Sequence, residues 1–148
     1  MKLRKEITID TDRETVWRIF DDPEYTRKWQ PALRSQTHLS GTPDEAGAKY
    51  ELIYDHNGRD LRVVATLTEK REFETMAAVL DSDWSRTTIV NHFESTADNQ
   101  TRWVLEMELR FKGIYKLVAV FFRKTMRARS DDEMQRFKVL VESAPSAE

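Results

Sequence analysis

The chain contains no cysteine, and this absence excludes disulfide bonds, thiolate catalysis and metal sites with cysteine ligands. Glycine and proline occur only four times each in 148 residues, so a phosphate-binding loop of several glycines is not expected. The longest apolar run, Leu117–Phe122, is far shorter than the roughly 20 apolar residues that cross a bilayer. No apolar segment follows the basic residues at the N-terminus, so no signal peptide is expected. We therefore expect a soluble, cytoplasmic protein.

An excess of charge of either sign is also missing. The sequence has 24 basic and 26 acidic residues, a net charge of −2, which argues against nucleic acid as a partner. The three histidines, His38, His56 and His92, lack metal-ligand spacing, so we expect neither a metal nor another cofactor. The chain does have 39% hydrophobic residues, enough for the core of one domain over residues 1–148. We expect a monomer whose residues 143–148 form a frayed end.

The spacing of the apolar residues predicts an α+β fold. Leu3, Ile7 and Ile9 predict a first strand. Asp10-Thr11-Asp12 offer caps for a short helix that includes residues 16–20, and Pro23 suits the first turn of a second short helix that ends near Trp29. From about residue 33 to residue 111 the apolar period is two, which predicts six further strands, and after Gly113 a helical period returns. Successive strands without helical crossovers pair antiparallel, and only the C-terminal helix is long enough to cover their apolar face. We expect a curved antiparallel sheet of about seven strands wrapped around a long C-terminal helix, which is a helix-grip fold.

One turn fixes the register of two of these strands. Asn57-Gly58 lies between two alternating runs and predicts a two-residue type I′ hairpin. That turn sets four cross-strand pairs on one face of the sheet: His56–Arg59, Tyr54–Leu61, Leu52–Val63 and Tyr50–Ala65. In the preceding strand, alternation alone predicts a single face made of Leu33, Ser35, Thr37 and Leu39.

The C-terminal helix contains a possible interruption. Ser130-Asp131-Asp132-Glu133 matches a capping box, which predicts a bent or two-part helix. The alternative is one straight helix with Ser130 on its solvated side. The sequence leaves both open.

Four short motifs follow one another near the N-terminus. They are Ile7-Thr8-Ile9-Asp10, Thr15-Val16-Trp17, Asp21-Asp22-Pro23-Glu24-Tyr25 and Trp29-Gln30-Pro31. This succession resembles the START-like (helix-grip) superfamily, and within it the polyketide cyclase/dehydrase and lipid-transport group. Glu94-Ser95 departs from the acidic residue followed by proline that is usual in these proteins. The resemblance implies a fold but no single activity, because the superfamily includes ligand carriers, hormone receptors, aromatase/cyclases and chaperone activators.

A sheet and one helix leave a space that side chains do not fill, so we predict a protein that binds a small hydrophobic ligand. A lipid, a polyketide or an aromatic metabolite would suit such a space. Asn91 needs a hydrogen-bond partner there, which a ligand, a water or a backbone group could supply. The predicted cavity wall consists of Tyr50, Leu52, Tyr54, Leu61, Val63, Asn91, Trp103, Leu105, Met107, Phe121 and Met126.

Two other functions stay open. An enzyme of the cyclase/dehydrase type would use Tyr54, His56 and Arg59 to polarise a carbonyl, but His56 and Arg59 could instead flank the turn in water. A protein-interaction module of the chaperone-activator kind would need a contiguous exposed apolar patch. A basic run on the C-terminal helix could contact anionic lipid or ligand carboxylates, or form a solvated face: Arg123, Lys124, Arg127 and Arg129.

Overall fold

Residues 1–144, which the computed structural model describes, form a seven-stranded sheet, two short helices and one long helix. Of the predicted frayed end, residues 145–148 lie outside this described part. The elements are β1 (Lys2–Ile9), α1 (Arg13–Asp21), α2 (Pro23–Trp29), β2 (Leu33–Ser40), β3 (Lys49–His56), β4 (Arg59–Arg71), β5 (Thr75–Asp81), β6 (Ser85–Ala97), β7 (Gln100–Phe111), a 3-10 turn (Gly113–Val118) and α3 (Ala119–Ser143).

All neighbouring strands pair antiparallel in the order β1-β7-β6-β5-β4-β3-β2. The first two strands therefore lie at opposite edges, and α1 and α2 carry the chain from one edge to the other. From β2 the chain meanders back, strand by strand, until β7 pairs with β1. The predicted helix-grip α+β fold is confirmed.

Local chemistry accounts for the two short helices. The Asp12 carboxylate caps α1 by accepting hydrogen bonds from the Thr15 backbone N–H at 3.0 Å and the Thr15 hydroxyl at 2.8 Å. Pro23 occupies the first turn of α2, where its missing N–H costs no helical hydrogen bond. Both helices begin at the positions that the sequence predicts.

The hairpin between β3 and β4 has the predicted turn and register. Asn57 and Gly58 both have positive φ, 53° and 82°, as a type I′ turn requires. The four predicted pairs are all present: His56–Arg59, Tyr54–Leu61, Leu52–Val63 and Tyr50–Ala65.

The prediction for β2 is wrong after its first residue. The pairing with β3 shifts between Leu33 and Ser35, so an irregularity interrupts the alternation. Gln36 then lies opposite Leu52, and Leu39 is 46% exposed. A bulge moves every following side chain to the other face, and simple alternation cannot foresee it.

The prediction of a two-part helix is wrong, and the alternative is right about one continuous helix but wrong about the side on which Ser130 lies. Helix α3 continues through Ser130 without a new start, and Ser130 is buried, with its hydroxyl 4.0 Å from the Met107 sulfur. Ser130 lies four residues before Met134, so it belongs to the inward stripe of the helix. The Glu133 carboxylate bonds Arg129 one turn earlier instead of acting as a cap.

The core lies at one end of the sheet. There the C-terminal half of α3 packs with α1 and α2 against β1, β6 and β7. Large aromatic side chains dominate this cluster: the Trp103 ring centroid lies 5.0 Å from that of Phe137 and 5.7 Å from that of Trp29. The facing surface of β3, β4 and β5 does not take part in this aromatic packing.

Candidate ligand-binding cavity

A cavity of about 510 Å³ lies between the sheet and α3, beside the aromatic core. This volume is within the range of small-molecule sites, roughly 300–1,000 Å³. Side chains from β2 to β7 form the floor, and residues from α2 and α3 form the roof.

The floor is apolar because the hairpin register directs one face of β3 and β4 inward. The pairs Leu52–Val63 and Tyr54–Leu61 line the cavity side by side. The neighbouring strands continue this surface with Met76, Ala78, Leu80, Ile89, Leu105, Met107 and Leu109.

The structure brings together ten of the eleven predicted wall residues. They are Tyr50, Leu52, Tyr54, Leu61, Val63, Asn91, Trp103, Leu105, Met107 and Met126. The eleventh, Phe121, does not line the cavity and is 78% exposed. Five residues separate it from Met126, which turns its side chain about 140° away around the helix. Its neighbour Phe122 points inward instead, with ring centroids 5.7 Å from Trp84 and from Phe111.

The three candidate catalytic residues do not converge. Tyr54 lines the cavity, but His56 and Arg59 are exposed at the hairpin end and lie outside it. They form the last pair of the hairpin, beyond Tyr54–Leu61, where neither β2 nor β5 continues alongside to enclose them.

A polar cluster breaks the apolar wall where α2 and α3 meet β3. The Tyr54 hydroxyl lies 3.5 Å from Gln30 Oε1, and the Arg129 guanidinium lies 5.2 Å from the centre of the Tyr54 ring. Arg129 Nε in turn donates to Glu133 Oε1 at 3.0 Å. All four side chains line the cavity.

Burial changes the acid–base behaviour of this cluster. It raises the pKa of Tyr54 to about 12, with the Glu133 charge adding to the effect and the Arg129 charge opposing it. Burial also raises the pKa of Glu133, and the Arg129 guanidinium offsets this only in part. Tyr54 therefore stays a neutral hydrogen-bond donor at physiological pH.

Asn91 is satisfied by the protein itself. Its Oδ1 accepts a hydrogen bond from Trp103 Nε1 at 2.9 Å, and its Nδ2 donates to the Met76 carbonyl at 3.3 Å. Trp29 differs: it also lines the cavity, yet its buried Nε1–H has no acceptor among residues 1–144. A buried donor without a partner is costly, and because this N–H has almost no accessible surface, a ligand acceptor could reach it only if neighbouring side chains moved.

A salt-bridge cluster lies at the rim. Lys70 Nζ lies 2.7 Å from Asp21 Oδ1 and 2.8 Å from Asp44 Oδ1, joining α1, β4 and the β2–β3 loop. Partial burial lowers the pKa of Lys70, but hydrogen bonds to the two carboxylates outweigh this and raise it overall. Lys70 therefore stays charged and links three segments of the chain at the rim of the cavity.

Within residues 1–144 no group of three acidic or histidine side chains is arranged to hold a metal ion. Among the same residues, none of the helices could span a membrane.

The sequence as a whole matches a known protein family. A family model described as polyketide cyclase / dehydrase and lipid transport matches residues 1–142. The chain belongs to this family. No curated protein sequence matches it.

Several solved structures share the fold of this protein at low sequence identity. A protein from Thermus thermophilus is 18% identical with a TM-score of 0.79, covering 99% of this chain and 100% of that one. A START superfamily protein from Mycobacterium smegmatis is 14% identical with a TM-score of 0.79, covering 95% and 97%. The Zhui aromatase/cyclase from Streptomyces sp. R1128 is 11% identical with a TM-score of 0.80, covering 96% and 93%. At such identities the likeness concerns the fold alone.

Sequence reasoning placed Tyr54 and Asn91 in the wall and named Arg129 only within the basic run, but it did not place Gln30 or Glu133 there. Gln30 stands in the Trp-Gln-Pro motif, but nothing local indicates that it meets Tyr54. Arg129 and Glu133 have the i, i+4 spacing of a helix pair, a signal hidden by the surrounding charges.

Proposed function

We propose that the protein binds a small, mostly apolar molecule with one polar end inside the cavity, and that it acts in the cytoplasm. The observation that carries the proposal is the 510 Å³ cavity with an apolar floor and a polar cluster at one wall. A lipid, a polyketide or an aromatic metabolite with an oxygen-bearing end has this chemistry.

The groups around the cavity favour a hydrogen-bond acceptor at that end. Tyr54 lines the cavity and offers a phenol that stays protonated. Arg129 bonds Glu133 through Nε, and its Nη groups make no hydrogen bond or ion pair within residues 1–144. A carbonyl, carboxylate or hydroxyl oxygen would satisfy these donors.

Catalysis by Tyr54, His56 and Arg59 together is not part of this proposal, because two of the three lie outside the cavity. A cyclase/dehydrase reaction would instead have to use Tyr54 with Arg129 and Glu133, and no observed contact favours turnover by these groups over binding.

The first test looks for a resident molecule. Native mass spectrometry of freshly purified protein should show a bound species that is lost on denaturation. Displacement of a fluorescent apolar probe by fatty acids, hydroxylated aromatics and polyketide analogues then ranks the ligand classes. We expect compounds with an oxygen-bearing end to compete better than hydrocarbons of the same size.

The matched variants are Val63→Trp, which fills the cavity floor, and Val139→Trp, which adds the same side chain at a 57% exposed position of α3. Probe binding should be lost in the first and kept in the second. Met126→Trp, at a half-buried roof position, is a second cavity-filling variant if Val63→Trp does not fold. Unchanged probe binding in folded cavity-filling variants would refute the proposal.

A further inference from the structure

The segment that begins the C-terminal helix leaves its apolar side uncovered. Ile114 is 77% exposed, Leu117 81%, Val120 82% and Phe121 78%. Residues three or four apart share one face of a helix, so these side chains form a single surface. We call them the apolar patch: Ile114, Leu117, Val120 and Phe121.

The charge around the apolar patch is of one sign. No acidic residue occurs between Glu108 and Asp131, although the whole chain carries a net charge of −2. Four basic side chains of this stretch make no ion pair within residues 1–144, and we call them the basic rim: Lys116, Arg123, Lys124 and Arg127. Two carboxylates lie nearby, at the end of β5 and in the β5–β6 loop. Asp81 is paired with Lys112 at 2.7 Å, and Asp83 is the other.

We propose that the apolar patch and its basic rim form a docking surface for an anionic lipid membrane. Exposed apolar side chains enter the boundary between headgroups and acyl chains, while lysine and arginine beside them attract anionic headgroups. The apolar patch supplies the side chains that would enter the membrane, and the basic rim supplies the cations that would attract its headgroups. The docking itself does not require a ligand in the cavity.

The apolar patch lies on the segment whose other side packs beside the cavity. The inward side of the same segment packs Phe122 on Trp84 and Phe111. Trp84 and Met126 line the cavity. Docking would therefore bring this end of the cavity to the lipid surface, where an apolar ligand is dissolved. This use of the surface, uptake or delivery of the ligand, rests on the binding function proposed above.

The test is co-sedimentation of the full chain with vesicles of phosphatidylcholine containing about 30% phosphatidylserine. We expect binding that weakens at high salt and is at least about tenfold weaker on phosphatidylcholine alone, because screening removes the charge attraction. No binding to the anionic vesicles would refute the proposal.

Two pairs of variants separate the apolar and the charged parts. Leu117→Ser/Phe121→Ser should lose at least about tenfold in partitioning, whereas Val139→Ser, exposed elsewhere on α3, should keep it. Lys116→Gln/Arg123→Gln/Lys124→Gln should lose about as much or more, whereas Arg18→Gln/Arg27→Gln/Lys28→Gln removes the same charge from exposed positions on α1 and α2 and should bind nearly as the wild type.

Other occupants would give different results. Dimerisation that Leu117→Ser/Phe121→Ser abolishes, seen by light scattering without vesicle binding, would assign the surface to a second copy and overturn the proposal. Val63→Trp fills the cavity and should still bind the vesicles, which makes this test independent of the ligand. Membrane docking can therefore be true even if the cavity binds nothing, and it can be false even if the cavity binds a ligand well.

Discussion

The two halves of the C-terminal segment make very different contacts with the rest of the molecule. From Ser130 to Val141 the inward side chains are buried against the aromatic core, and Phe137 is fully inaccessible. From Gly113 to Arg129 no side chain is fully buried, and the four apolar side chains of the patch point outward. One continuous element thus acts as a core helix at one end and as the roof of a cavity at the other.

The difference shows that helix formation does not require uniform packing. The C-terminal half packs against Trp29 and Trp103, which fill the space beneath it. The N-terminal half faces an empty volume, so its roof residues gain few dispersion contacts. We expect stability to be concentrated in the first region and ligand or surface contacts in the second.

The largest effect should come from truncating the core half. Phe137→Ala should lower the free energy of unfolding by about 3–5 kcal/mol, since it leaves a cavity among aromatic rings. Phe121→Ala on the roof half should cost less than about 0.5 kcal/mol, since that side chain is 78% exposed. Urea denaturation measures both, and equal losses would contradict the division into two halves.

A smaller loss should follow from breaking the hydrogen bond at the border between core and cavity. Asn91→Leu removes the acceptor of Trp103 Nε1 and should cost about 1–3 kcal/mol by leaving that N–H buried and unpaired. The double variant Asn91→Leu/Trp103→Phe should cost less than the sum of the single changes. Simple additivity in urea denaturation would show that the two side chains are not coupled.

Alkaline pH should lower the stability of the protein through the Tyr54 phenol. The pKa of Tyr54 is raised to about 12 in the folded state, above the usual value of 10.0. Between these values the unfolded chain loses a proton that the folded chain keeps, so the stability contributed is complete below pH 10 and falls as pH rises toward 12, by roughly 1–2 kcal/mol.

Thermal unfolding of Tyr54→Phe across this range should show a flatter decline than the wild type. Tyr115→Phe, at a 44% exposed position, is the control and should follow the wild type. An identical decline in Tyr54→Phe would mean that the phenol is not held in its neutral form by the fold.

The smallest effect concerns Glu133 beside the polar cluster. Its pKa is raised by burial above the ordinary 4.5, so its ionisation opposes folding as pH rises through the folded pKa. Glu133→Gln should remove that part of the pH dependence of the free energy of unfolding. At neutral pH it should cost less stability than breaking a buried ion pair usually does. Asp132→Asn, at an exposed neighbour whose charge adds only a minor part to the raised pKa of Glu133, should change the acidic part of the curve less than Glu133→Gln does. If the two variants match, burial of Glu133 is not the cause.

The sequence by itself determined the elements whose causes are local. Asn57-Gly58 specifies its turn and register, Asp12 specifies the start of α1, and alternation specifies the inward faces of β3, β4 and β7. These predictions succeeded because the turn residues, the cap and the period act within a few residues of the chain.

Only the tertiary structure decided the rest. The bulge in β2, the inward turn of Ser130 and the exchange of Phe121 for Phe122 depend on how an edge strand and a long helix meet distant partners. The same holds for the polar cluster, which joins side chains from α2, β3 and α3. Which face of an element is covered depends on what lies opposite it, and a local pattern carries no information about residues a hundred positions away.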